Sequence, residues 1–202
     1  MHSIVASYIG RDCDSRAPYA VYAKQNGDCK DETCSDNGSS EGEGDGERLT
    51  MQCSTDYLQA MRDAFAGSEY IIHEVFSDDT CTTFEYAVGF LVTDNCTGGA
   101  LTDDNYFKSS IEDIGTASIQ IFQNLDGSSS AADSSCSHDS VTVDAAKDQL
   151  ERHTCLTIDS GIALYDIYGP EYYDGMTYKW GSVGTNCRLR SRLAARLHLR
   201  QQ

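Results

Sequence analysis

The chain has no C-x-x-C pair, no basic excess over its main body and no apolar run longer than "YAVGFLV" at residues 86–92. Each absence removes a class of function. Without paired cysteines, and with its five histidines scattered, the sequence offers no zinc-ligand spacing. A helix that crosses a bilayer takes ~20 apolar residues, so no transmembrane segment is expected. The net charge is −17, and residues 1–187 carry 10 basic against 32 acidic side chains. Such a body repels nucleic acid and anionic lipid at ordinary ionic strength, so no nucleic-acid partner is expected. Neither H-E-x-x-H nor a phosphate-binding P-loop is present.

Nine cysteines remain to be explained. A cysteine-rich chain without metal spacing points to an oxidising compartment, where disulfides supplement the core. Two N-x-S/T sequons, at Asn37 and Asn95, suit a secretory route and are the glycosylation candidates. The opening "MHSIVASYIGRDC" shows neither a basic n-region nor an apolar h-region, so no signal peptide is visible. An extracellular location is expected all the same, with the export signal missing from this stretch.

The cysteines follow a loose internal repeat. "SYIGRDC" ends at Cys13 and "VFSDDTC" at Cys81, each with an aromatic residue (Tyr8, Phe76) five positions earlier. Cys29 and Cys96 follow these at similar distances, and a third copy runs from "SIQIF" through Cys136 to Cys155. Spacing predicts the bridges Cys13–Cys29, Cys34–Cys53, Cys81–Cys96 and Cys136–Cys155, with Cys187 left free or intermolecular. Connectivity is not determined by spacing, since eight cysteines allow 105 arrangements. Each such bridge would close a loop of about 15–20 residues and stabilise by roughly 3 kcal/mol on the chain-entropy model.

Hydrophobic periodicity gives an α+β reading: mainly antiparallel β-sheet with one amphipathic helix and disulfide-stapled, hairpin-like repeats. In "TFEYAVGFLV", Phe84, Tyr86, Val88 and Phe90 alternate with Glu85, Ala87 and Gly89, the pattern of a strand with one buried face. "EYIIHEVF" is apolar on both faces, as a doubly covered strand would be. "SIVASYI", "YAVYAK", "TASIQIF", "SVTV" and "GIALYDIY" are further strand candidates. The helix is "STDYLQAMRDAFAGS", capped by Ser54 or Thr55, with Leu58, Met61 and Phe65 on one face and Gly67 at its end. A shorter helical turn is expected after Asp144. The chain divides into a cysteine-rich β segment (1–53), a helix-plus-sheet segment (54–186) and a basic tail (187–202).

"CSDNGSSEGEGDGERLTMQC" (34–53) reads as a solvated acidic loop. No cofactor is expected, with a calcium site there as the alternative. Glu41, Glu43, Asp45 and Gly46 match part of an EF-hand loop, but Gln52 falls where a bidentate Glu is needed. His73 and Glu74 are neighbours on a strand, so they point to opposite faces and do not act together. Asp78 and Asp79 suit the tip of a stapled hairpin, with polar residues facing water. His153 lies two residues from Cys155, which is expected to be oxidised and therefore no nucleophile. In the tail, Leu189, Leu193 and Leu197 recur among arginines. That makes either a basic amphipathic helix able to touch an anionic membrane or the acidic body, or an end that is disordered or foreign to the rest of the chain. Tyr168, Tyr172, Tyr173, Tyr178 and Trp180 are the candidate contact surface, because Tyr and Trp give large contact area and stack on sugars. The competing reading is that they cover the end of the sheet.

The elements "VFSDDTCTTFEYAVGFLVTDNC", "SYIGRDC…APYAVYAKQNGDC" and "SIQIF…SSC…HTC" resemble the cysteine-rich extracellular segments of secreted oomycete proteins, over roughly residues 3–168. Some of those segments precede a transmembrane helix and a tyrosine-kinase-like kinase domain. The resemblance implies an extracellular location and a role in sensing or surface contact, and no site residues carry over from it. The expected function is a non-catalytic binding module with a protein or carbohydrate ligand. The alternatives are a secreted hydrolase using paired carboxylates and a secreted inhibitor or effector of a host protein.

Overall fold

A computed structural model describes residues 1–10, 12–13, 17–36, 47–98, 105–123, 136, 140–157 and 176–183. Their architecture is α+β and dominated by antiparallel sheet. Strands β1 (His2–Ile9), β2 (Ala20–Gln25), β3 (Glu32–Asp36) and β4 (Glu47–Ser54) precede helix α1 (Tyr57–Ala64). Then come β5 (Tyr70–Phe76), β6 (Phe84–Leu91), β7 (Thr93–Gly98), β8 (Asn105–Ile111), β9 (Ala117–Gln123) and β10 (Ser140–Ala145). Helix α2 (Lys147–Arg152), β11 (Leu156–Thr157) and β12 (Thr177–Val183) complete the described elements.

The strands form an eight-stranded sheet in the order β11-β12-β5-β6-β2-β1-β4-β3 and a four-stranded sheet in the order β10-β9-β8-β7. The large sheet takes strands from both sides of the 53/54 division, and β2 pairs directly with β6 from Ala20↔Phe90 to Lys24↔Tyr86. Its central strands are covered on both faces. On one face α1 buries Ala60, Met61 and Phe65 against Ile4, Ala6, Val21, Ala23, Ile72 and Ala87. On the other, Ile71, Val75, Val88 and Phe90 pack against Phe107, Ile119, Ile121 and Val143 of the small sheet, with Leu150 of α2 and Trp180 of β12. The Phe90 and Phe107 rings meet edge to face at 5.1 Å across the two sheets.

Double coverage corrects the reading of β6 as a strand with one buried face, because every residue from Tyr86 to Phe90 is buried. Small residues make this work. An ideal Cβ on Gly89 would lie 2.8 Å from Phe65 Cε2 and 3.0 Å from Cζ, so the glycine is the space the Phe65 ring occupies. Gly89→Ala should cost about 1–3 kcal/mol by overpacking, read as a lower denaturant midpoint with an unchanged slope. An unchanged midpoint would mean the ring shifts freely.

Helix α1 starts later than expected. Its cap is Asp56, whose carboxylate accepts from Gln59 N at 3.0 Å, while Ser54 Oγ accepts from Asp56 N and so shapes the approach. Neither Ser54 nor Thr55 is the cap. After the helix, Ala66 (φ 49°) and Gly67 (φ 86°) both take left-handed conformations and turn the chain into β5. The short helix expected after Asp144 is α2.

The segment read as one acidic loop, 34–53, is corrected at both ends, which lie in β3 and β4. β4 pairs along its whole length with β1, from His2↔Ser54 to Ile9↔Glu47. Glycines and acids dominate the composition of 34–53 and hide the alternation of Leu49, Met51 and Cys53. β7, β8 and β12 were also unforeseen. The candidate strand "GIALYDIY", Asn37, Glu41, Glu43, Asp45, Gly46, Cys187 and the basic tail lie outside the described residues, while Gln52 sits in β4.

All four predicted bridges are replaced. The disulfides are Cys13–Cys34, Cys29–Cys53, Cys81–Cys155 and Cys96–Cys136. The first two interlock and the last two nest, so the loose repeat is not a repeat of bridging. The reason is the sheet. Register sets Ser35 opposite Leu49 and Glu32 opposite Met51, so Cys34 lies near the Leu49 carbonyl that Cys13 Sγ approaches at 3.9 Å, and Cys53 runs on past Glu32 toward Cys29. β12 pairs with both β5 and β11 and so brings the chain after β5 near Cys155. Cα–Cα distances of 5.7–5.8 Å are those of ordinary bridges. Among the described residues no helix is long and apolar enough to cross a membrane. Four bridges fit an oxidising, extracellular environment.

Candidate functional site

β7, an edge strand of the small sheet among the described residues, carries a bulge. From Thr93↔Ser109 to Thr97↔Phe107, β7 advances four residues while β8 advances two. Asp94, Asn95 and Cys96 therefore share the stretch of β8 centred on Lys108. Local polar bonds hold the excess chain: Asn95 N donates to Thr93 Oγ1 at 3.1 Å, and Thr97 Oγ1 donates to the Asn95 carbonyl at 3.3 Å. Short Ser and Thr side chains compete with ladder bonding in this way, and bulges re-aim the side chains around them. The Cys96–Cys136 bridge ties the bulge to the chain beyond β9.

Alternation along β8 and β9 then defines two faces. Phe107, Ser109, Ala117, Ile119 and Ile121 are buried, whereas Lys108, Ser110 and Ser118 are half-buried and Gln120 is exposed. Register places Lys108 opposite Gln120 and Ser110 opposite Ser118. With Thr93 and Asp94 from the bulge, these residues and Ser109 line a groove of about 260 Å³. Ser109 Oγ donates to the Leu91 carbonyl, tying the groove floor to the end of β6. Lys108 Nζ lies 5.7 Å from the centroid of the Phe122 ring, a cation–π contact that orients the ammonium.

Among the described residues the lining offers a mixed set of hydrogen-bonding groups: one ammonium, one carboxylate, one carboxamide and the hydroxyls of Thr93, Ser110 and Ser118, with that of Ser109 turned to the buried face. It holds neither cysteine nor histidine among the described residues. Donors and acceptors in close alternation suit a ligand that carries both.

No family model matches the chain, and no curated protein or solved structure matches it.

The residues singled out from the sequence lie elsewhere. His73 and Glu74 do point to opposite faces of β5, but neither faces water: both are buried. His73 packs 4.5 Å from the Trp180 ring and 5.2 Å from that of Tyr178, and burial pushes its pKa down to about 3, so it is neutral. Glu74 accepts from the Tyr57 hydroxyl at 2.7 Å. Burial first, and then the Glu74 charge, holds that phenol above its usual range. The hairpin between β5 and β6 is real, but Cys81–Cys96 does not staple it. Asp78 organises its turn, accepting from Thr80 N at 2.9 Å, from Thr82 N at 3.0 Å and from Thr83 N, as well as from the hydroxyls of Thr80 and Thr82. These bonds hold its carboxyl well below the usual range, that from Thr83 most of all. Asp79 is exposed.

Trp180 is not a contact surface. It is 2% exposed, because β12 is inserted between β11 and β5 and turns the indole into the core. Tyr178 is half-buried on the same strand, while Tyr168, Tyr172 and Tyr173 lie outside the described residues. His153 is exposed at the end of α2, and Cys155 is bridged to Cys81. Among the described residues no cluster of three or more His, Cys, Asp or Glu could hold a metal ion.

Sequence reasoning missed Thr93, Asp94, Lys108, Ser110, Ser118 and Gln120. A signal was available in "NYFKSSI", where Phe107, Ser109 and Ile111 alternate with Lys108 and Ser110. A strand with one polar face is what that pattern means.

Proposed function

We propose that this chain is an extracellular, disulfide-stapled recognition module that binds and does not catalyse, and that its ligand is a neutral carbohydrate seated on the outer face of the small sheet. The groove built by the β7 bulge carries this reading. At about 260 Å³ it is smaller than the roughly 300–1,000 Å³ of drug-sized ligand sites, which suits one sugar unit of a longer glycan. Hydroxyls, a carboxamide, Asp94 and Lys108 can each give or take a hydrogen bond with sugar hydroxyls. A net charge of −17 disfavours anionic ligands, so neutral glycans are preferred over acidic ones. A sensing or surface-contact role, implied by the resemblance to oomycete ectodomain segments, is compatible with such binding.

Calorimetric titration of the oxidised protein with neutral oligosaccharides tests the reading. Gln120→Ala and Lys108→Ala should each weaken binding by roughly tenfold, the worth of one or two hydrogen bonds, without lowering the unfolding midpoint by more than a degree or two. Absence of binding to any neutral glycan, or binding that ignores both substitutions, would refute the assignment.

A further inference from the structure

We infer that Asn95 carries an N-linked glycan, and that the glycan is attached before the Cys96–Cys136 bridge closes. The inference rests on the extracellular reading above. Asn95 lies in the β7 bulge with its side chain exposed, and it is not among the residues that line the groove. A glycan there would be attached beside the groove rather than to one of its lining residues. β7 is also one of the two edge strands of the small sheet among the described residues. An open edge invites pairing with other chains, and a bulky polar substituent on a bulge blocks it.

The sequon is Asn95-Cys96-Thr97, and its three residues are in three different states. The carboxamide of Asn95 is exposed. The hydroxyl of Thr97 belongs to a side chain only 5% exposed and is already bonded to the Asn95 carbonyl. Cys96 is locked to Cys136. In the transfer, Asn95 Nδ2 forms a bond to C1 of a lipid-pyrophosphate-linked oligosaccharide. The C1–O bond to the pyrophosphate breaks, the lipid pyrophosphate leaves, and the amide proton passes to a base. No oxidant or reductant is involved. The transferase reads the asparagine together with the hydroxyl two residues on, as the N-x-S/T requirement shows. The folded chain presents the first and hides the second, so attachment belongs to the reduced, unfolded chain.

The test uses the full chain secreted by a eukaryotic host behind an added signal peptide, with enzymatic deglycosylation in heavy-oxygen water and non-reducing peptide mapping. The expected result is heavy-labelled Asp at position 95, loss of one glycan mass in Asn95→Gln, and a Cys96–Cys136 peptide in the same sample. Unmodified Asn95 in protein with all four bridges formed would overturn the inference and leave the extracellular reading standing. Reduced cysteines in folded secreted protein would overturn both. Microsomes carrying the lipid-linked donor test the order of events. The reduced chain should be modified and the refolded, oxidised chain should not, and equal modification of the two would overturn the order.

Discussion

Cys81→Ser with Cys155→Ser should lower the unfolding free energy by about 4 kcal/mol, the larger part of what a small domain can lose and remain folded. The bridge spans 74 residues, and on the chain-entropy model a loop of that length restricts the unfolded chain by about 4.5 kcal/mol, against roughly 3 for the short staples that spacing predicts. The folded state adds local order. Thr177 Oγ1 donates to the Asp78 carbonyl at 2.7 Å and lies 3.0 Å from the Cys81 sulfur. Lys179 Nζ donates to the Cys81 carbonyl at 3.3 Å and lies over the Phe76 ring. These contacts dock the β5–β6 turn on β12. Chemical denaturation of the double variant under non-reducing conditions measures the loss. A cost below 1 kcal/mol would show that the bridge restricts the unfolded chain far less than its loop length implies.

Acid should destabilise the protein well above the range in which carboxylates titrate. His73 is fully buried, and in the folded state it stays neutral down to pH about 3, against 6.5 for an ordinary imidazole. Between those values the unfolded chain takes up a proton that the native chain does not. Stability from this residue is therefore complete above pH 6.5 and falls as pH drops toward 3, by roughly 1.4 kcal/mol per pH unit. At pH 5 the loss is about 2 kcal/mol. Asp78 acts in a different window. Its depressed carboxyl contributes stability above the ordinary carboxylate range, and that contribution fades only as pH falls below it. Denaturation midpoints of the parent and of His73→Phe between pH 7 and pH 5 separate the two. The variant should lose most of the slope, and a slope equal to the parent's would mean that His73 is not its source.

The long apolar strands were readable because each needs only its own pattern. Two-sided apolar "EYIIHEVF" is β5, enclosed between α1 and the small sheet. "TFEYAVGFLV" reads as a strand, yet Ala87 and Gly89 look like a polar or neutral face until Phe65 is seen to occupy the space above Gly89. β7 and β8 were not readable in the same way. "TDNCTG" has no alternation because a bulge interrupts it, and only pairing to β8 reveals that it is a strand. Trp180 illustrates the same limit from the other side. A tryptophan among tyrosines suggests a contact surface, but one strand's position in the sheet order makes it core.

By itself the sequence determined the sheet-dominated class, the central strands, the helix near 57–64 and the cysteine-rich character, because composition and periodicity act over a few residues. Which cysteines meet, which polar residues are buried and which line a groove were decided only by the tertiary structure. Those outcomes depend on strand order and register, and one unpaired residue or one crossover changes every neighbour while leaving the local pattern intact.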